Sequence, residues 1–266
     1  MLSRFGIEPR HIAIMAASHN GEPGHVEVVR DLLKRADVPE DALQCGAHWP
    51  YYEPYAGEVR RNMEKPLAVF NNCSGKHAGM LAAARALNAP LETYLDPNHP
   101  VQVRIRDVVA EFAGLAPKSI EFGIDGCSAP NAAVPLRAMA RSFATLVTSK
   151  DKTARQVMDS MVANPWLVGG TGRFDTELME ATAGRLLAKG GAAGAHTTAN
   201  QATGQGLALK LESGDGTWTS AAVLSALQQL GWLTNFELEK LAKFDEPVLR
   251  NHKGLEVGRV LSALTL

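Results

Sequence analysis

Apolar and polar positions alternate in blocks along the chain, and the blocks change period. His11 to Ala17 (HIAIMAA) is a short apolar run of strand or buried-helix type. The polar turn Ser18-His19-Asn20-Gly21-Glu22-Pro23-Gly24-His25 follows, and Val26, Val29, Leu32 and Leu33 then recur at helical spacing. Cys45 to Tyr52 reads as an irregular connection ending at Pro54. The Ala-rich segment Leu81 to Leu87 predicts a helix whose first turn Ser74 can cap. A Pro-rich entry at Asp96 to Pro100 leads into a helix carrying Val101, Ile105, Val108, Val109 and Phe112. Ile120 to Ile124 reads as a strand feeding the turn Asp125 to Pro130. Ala132 to Leu146 and Thr153 to Ala163 read as helices, the second stopped by Pro165. Gly169 to Asp175 is a glycine loop before another helix. From Leu186 the pattern turns strand-like, with Lys189 to Gly194 and Gly206 to Leu211 forming a hairpin-like pair around a polar stretch at Asn200 to Gly204. Ala221 to Leu230 and Phe236 to Ala242 restore helix, and Glu256 to Leu264 predicts a last strand. Strands mixed with helices make this an α/β protein. With no repeat, low-complexity tract or linker, residues 1–266 are expected to form one domain.

Composition narrows the class of partner. With 27 basic and 28 acidic residues and no basic run, nothing favours nucleic acid or an anionic membrane surface, so a small molecule is the expected partner. Only three cysteines are present, at 45, 73 and 127, which argues against a disulfide framework and for a reducing, cytoplasmic setting. No signal peptide or membrane-spanning run is apparent.

The chemistry concentrates in Asn71-Asn72-Cys73-Ser74-Gly75-Lys76-His77-Ala78-Gly79-Met80. A thiol, a hydroxyl, an amine and an imidazole occupy five consecutive residues at a helix start, where the partial positive charge favours a thiolate. Gly75-Lys76 is not a phosphate-binding loop, because Phe70 and His77 stand where glycine and Ser or Thr are required. The glycine loop at 169–175 lacks the G-x-G-x-x-G spacing of a dinucleotide site. Ser149-Lys150-Asp151-Lys152 has the Ser-x-x-Lys spacing of a serine–lysine hydrolase, but in a charged stretch between helices. Cys73 and Lys76 are one helical turn apart, and with Cys127 they form a conceivable three-ligand zinc site in which the amine must lose its proton. The residues alone leave open whether Cys73 is a packed thiol, a redox thiol or a ligand, and whether Ser18 serves only its own turn.

Several stretches together resemble the asparaginases of the Rhizobium etli type, whose fold is serine β-lactamase/glutaminase-like, a mainly antiparallel sheet with helices and an added helical cluster. They are Ala16 to Glu22, Asn71 to Met80, Tyr94 to Gln102, Asp125 to Pro130, Val168 to Met179 and Lys189 to Gly194, in family order across nearly the whole chain. The resemblance implies hydrolysis of L-asparagine to L-aspartate and ammonia by serine–lysine acyl transfer beside a zinc ion, in a homodimer. Carried over residue by residue, it makes Cys73, Lys76 and Cys127 the metal ligands and Ser18 and Lys189 catalytic. Asp125 is expected to grip the substrate ammonium, with His77 as a further substrate-binding residue.

Departures from the pattern are equally specific. The family carries an Arg-Ser-x-x-Lys segment upstream of the Ser18 stretch, holding the other serine–lysine pair, and the 266 residues contain none there. The chain is therefore expected to lack that N-terminal part and to have impaired activity, the alternative being a non-catalytic remnant that binds metal or an amino acid. Ala193 stands where the family has glutamate, and Ser128 replaces a common glycine.

Overall fold

Helix α4 (Ser74–Ala86) is built almost entirely from small and apolar residues, and nine of its thirteen residues are buried, so it needs no polar face. It lies against α1 (Pro9–Met15) and α2 (Pro23–Arg35). A Cβ at Gly75 would stand 2.1 Å from the Ile14 carbonyl oxygen, and one at Gly79 would stand 2.7 Å from Met15 Cγ. These two glycines exist for helix contact. The apolar run at His11 to Ala17 thus resolves as helix, started by Pro9 in its first turn. Ser74 does not cap α4, contrary to expectation. Cys73 holds the N-cap position, and the buried Ser74 hydroxyl instead donates to the Val69 carbonyl at 2.9 Å.

The computed structural model describes residues 1–266 and contains eleven α-helices and seven short strands, all paired antiparallel, which makes the protein α/β. Helix α3 (Glu53–Asn62) begins where the irregular connection was expected to end, because Pro54 lies in its first turn, where proline starts a helix. Helix α5 (Pro100–Ala113) follows His99 as expected. Strands β1 (Glu121–Ile124) and β2 (Pro130–Ala133) form a hairpin. The helix expected from Ala132 begins later, as α6 (Leu136–Thr148), since Pro135 disfavours helical backbone in the residue before it.

Asp151 caps α7 (Lys152–Ala163) by accepting from the Thr153 and Ala154 amides at 2.9 Å, so the Ser149-x-x-Lys152 spacing serves a helix start. The short α8 (Pro165–Val168) and the glycine loop lead to α9 (Phe174–Ala181). Three strands form the largest sheet, in the order β3 (Leu186–Gly190), β4 (Ala195–Asn200), β5 (Gln205–Lys210), with Lys189 opposite Thr197. The hairpin-like pair is therefore a three-stranded meander, and α6 packs on its β4 and β5. After α10 (Thr219–Gln229) and α11 (Asn235–Asp245), strands β6 (Val248–Arg250) and β7 (Glu256–Arg259) pair, and the last strand stops at Arg259, well before Leu264. No helix is long and apolar enough to cross a membrane.

Candidate active site

Two loops meet where α1 and α4 touch. The first, after α1, carries Ser18; the second, before α4, carries Asn71 to Cys73. They are joined by backbone hydrogen bonding from His19 to the Asn72 carbonyl at 3.1 Å. Asn72 Nδ2 donates to Ser18 Oγ at 2.9 Å. His48 fixes the Asn72 end, since its Nε2 accepts from the Asn72 amide at 3.1 Å while its Nδ1 lies 2.7 Å from the Trp49 carbonyl. Beneath them, the buried His19 and His25 rings stack with centroids 5.0 Å apart, and His25 stacks on Trp166 at 4.1 Å. His19 Nε2 reaches Ser74 Oγ at 3.1 Å, so the Ser18 loop is anchored to α4 itself.

Beside this junction Cys73, Lys76, Asp125 and Cys127 converge. Lys76 Nζ donates to Asp125 Oδ2 at 3.1 Å and to Cys127 Sγ at 3.0 Å. The Asp125 carboxylate builds its own turn, its Oδ1 accepting from the Cys127 and Ala129 amides at 2.9 and 3.0 Å and from the Cys127 thiol at 3.0 Å. Hydrogen bonding to Cys127 and the Lys76 charge bring the Cys73 thiol down to about 7, against the effect of burial. The same Cys73 sulfur and burial push Cys127 up to about 12. Burial alone would lower the Lys76 amine, but the two sulfurs and Asp125 outweigh it and raise it above its ordinary value. Burial opposes ionisation of Asp125, and the Cys127 and Lys76 hydrogen bonds overcome that and hold its carboxyl low.

His77 lies on the same turn of α4. Tyr94 Oη accepts from the Gln44 amide at 2.9 Å and is 2.6 Å from His77 Nδ1, so that ring nitrogen is committed to the phenol. That buried Nε2 has no hydrogen-bond partner. The His77 ring also acts on the Cys127 thiol, which it pulls down against Cys73 and burial.

No group of three or more His, Cys, Asp or Glu side chains is arranged to hold a metal ion. The donors that do converge are two sulfurs and one amine. Their chemistry fits a thiophilic cation such as zinc once the Lys76 proton is lost, a proton the present hydrogen bonds favour.

A second set of charges faces the cluster from α9 and β3. The Asp175 carboxylate is buried, with Oδ2 accepting from the Gly190 amide at 2.6 Å and Oδ1 3.0 Å from His196 Nε2. Burial works against its ionisation, but His196 and the nearby Lys189 hold its carboxyl far below the ordinary value. Lys189 is desolvated, and together with the Arg173 and Lys76 charges this pushes its amine below the usual lysine value, although Asp175 and Cys73 resist. Its Nζ donates to the Gly190 carbonyl.

Of the residues singled out from sequence, Cys73, Lys76, Asp125 and Cys127 meet directly, and His77 lies one residue beyond Lys76. Lys189 is within electrostatic reach of Cys73. Ser18 and Lys189 share no hydrogen bond; the partner of Ser18 is Asn72. Cys45 is a packed thiol, its Sγ donating to the Ala68 carbonyl, and burial pushes it up to about 12. Sequence reasoning missed His48, Asn72, Arg173, Asp175 and His196 as members of this region. His48, Asn72, Arg173 and Asp175 sat inside the noted stretches, but Asp175 meets His196 only across the fold, beside the Gly190–His196 pairing of β3 and β4, which no local spacing announces.

No curated protein gives a significant match to the chain. A model of the L-asparaginase II family, by contrast, matches residues 1–262, nearly the full length and a range that contains the whole of this site, and on that match the chain belongs to the L-asparaginase II family.

Proposed function

We propose that this protein is an L-asparagine amidohydrolase of the Rhizobium etli type, releasing ammonia and L-aspartate, with L-asparagine bound between the Cys73–Lys76–Asp125–Cys127 cluster and Lys189. The observation that carries the reading is the convergence of Cys73, Lys76, Asp125 and Cys127 at the start of α4, with the desolvated Lys189 facing them. In acyl transfer a serine oxygen attacks the amide carbon, a base takes its proton, and ammonia leaves before water cleaves the ester. Ser18 supplies such a hydroxyl, oriented by Asn72. Lys189, desolvated and beside two other cations, is the amine most inclined to be neutral and so to take that proton as the base. Asp125 Oδ1 is saturated by its turn, so Oδ2, which also accepts from Lys76, is the atom with a lone pair left for the substrate ammonium. Cys73, Cys127 and Lys76 would hold a zinc ion, which when bound supplies a Lewis acid next to the amide.

Ser18 is hydrogen-bonded to Asn72 and not to Lys189, so proton transfer between that serine and lysine is not prepared and turnover is expected to be slow. Ammonia release from L-asparagine and L-glutamine, measured beside metal content, tests this. Slow release abolished by Ser18→Ala supports the reading, and robust turnover refutes the impairment. The engagement of Ser18 by Asn72 also favours a second reading, an amino-acid or metal binder without chemistry, which predicts asparagine binding with no ammonia. The proposal includes a cytoplasmic homodimer. Ile124 and Val257, 70% and 62% exposed on two separate hairpins, offer apolar surface for a second copy, and light scattering in solution checks it.

A further inference from the structure

Among the cations of the site, the Arg173 guanidinium forms no ion pair with a carboxylate. Lys76 is matched by Asp125, and Lys189 lies in the field of Asp175. The half-buried Arg173 guanidinium makes one long hydrogen bond, Nη1 to Asn20 Oδ1 at 3.4 Å, two residues beyond Ser18. Its position is fixed from both sides. Thr171 donates to Glu22 through its amide at 2.8 Å and its hydroxyl at 2.7 Å, and Asn20 Nδ2 donates to the Thr171 carbonyl at 3.1 Å. Gly170, at φ 115°, lets the loop sit so close that a Cβ there would lie 2.6 Å from Glu22 Oε1. Arg173 is thus seated against the Ser18–Glu22 segment by a rigid loop, while Asp175 turns away to His196 and Gly190.

An α-amino acid amide brings three groups to a site: an ammonium, a carboxylate and the amide. Asp125 suits the first, and His77 and Ser18 suit the third. The carboxylate needs a cation not already neutralised, and a planar guanidinium offers two parallel N–H donors to it. We infer that Arg173 is the specificity-determining residue that binds the substrate α-carboxylate, so that the site selects α-amino acid amides over amides lacking that group. This rests on the amidohydrolase reading above.

Calorimetric titration of the 266-residue chain with L-asparagine and with β-alaninamide, which is asparagine without its carboxylate, tests the inference. β-Alaninamide is expected to bind roughly ten- to hundred-fold more weakly than L-asparagine, the range of one charge-assisted pair. Arg173→Met is expected to weaken L-asparagine by the same factor and leave β-alaninamide unchanged. Arg173→Lys, which keeps the charge without the fork, should fall between. Comparing two ligands on one variant removes any common effect of misfolding. Equal weakening of both ligands by Arg173→Met and Arg173→Lys, or no weakening of either, overturns the role of Arg173 while leaving the amidohydrolase reading standing. Failure of the unsubstituted chain to bind L-asparagine overturns both.

Discussion

The two sides of the site are built in opposite ways. Lys189 and Asp175 stand on β3 and α9, among side chains that are buried, whereas Asp125 and Cys127 stand on the β1–β2 hairpin, whose β1 residues are all exposed. One side is held by the core, so its charges can be left desolvated and strained in their titration. The other lacks that support and is tied in place by the polar groups it brings to the site, namely the Lys76 ion pair and the hydrogen bonds within the Asp125 turn. Charge is a load on the first side and a fastener on the second.

Removing the buried carboxylate should break the contrast most severely. Asp175→Ala strands the Gly190 amide and His196 in the interior, and a loss of about 3–5 kcal/mol in urea unfolding is expected. The same group sets an acid limit. Its folded carboxyl titrates below the unfolded one, so its stabilisation is full above about pH 4 and disappears as pH falls through the lower, folded value. Stability measured from pH 5 downward should fall in the parent and fall less steeply in Asp175→Asn.

Asp125→Ala is expected to cost less, about 1–2 kcal/mol, because its side chain is partly solvated and all its contacts but the Lys76 ion pair lie within its own turn. The sharper readout is hydrogen exchange, which should accelerate over Glu121–Ala133 and stay unchanged over Leu186–Gly190. Acceleration of both would mean that the two sides are one unit. The smallest effect belongs to the turn joining β3 to β4, where Ala193 is held at φ 54°. Ala193→Gly relieves that conformation and should stabilise the protein by about 0.5 kcal/mol, read as a rise in midpoint denaturant concentration.

The same division governs what could be read from the chain. The fastened side was legible because its residues are close in sequence: Cys73 and Lys76 are a helical turn apart, and Asp125 and Cys127 flank a glycine after a recognisable strand. The buried side was not. Strand β4 reads as polar because it contains His196, Thr197 and Thr198, yet each is buried and satisfied from elsewhere, by Asp175, the Lys189 carbonyl and the His196 ring. Ser74 misled for the same reason, its hydroxyl being taken by Val69 and His19 and not by the helix start. Local patterns report local partners, and here the partners lie across the fold.

The glycine contact between α1 and α4 has a mechanical consequence for the chemistry. Ser18 follows the end of α1 and Cys73 precedes the start of α4, and at Gly75 the two helices meet with no slack, backbone against backbone. Those helices act as two levers on a common pin. A methyl group at residue 75 would force them apart at the pin and shift the Ser18 hydroxyl relative to the Cys73 sulfur without touching either one.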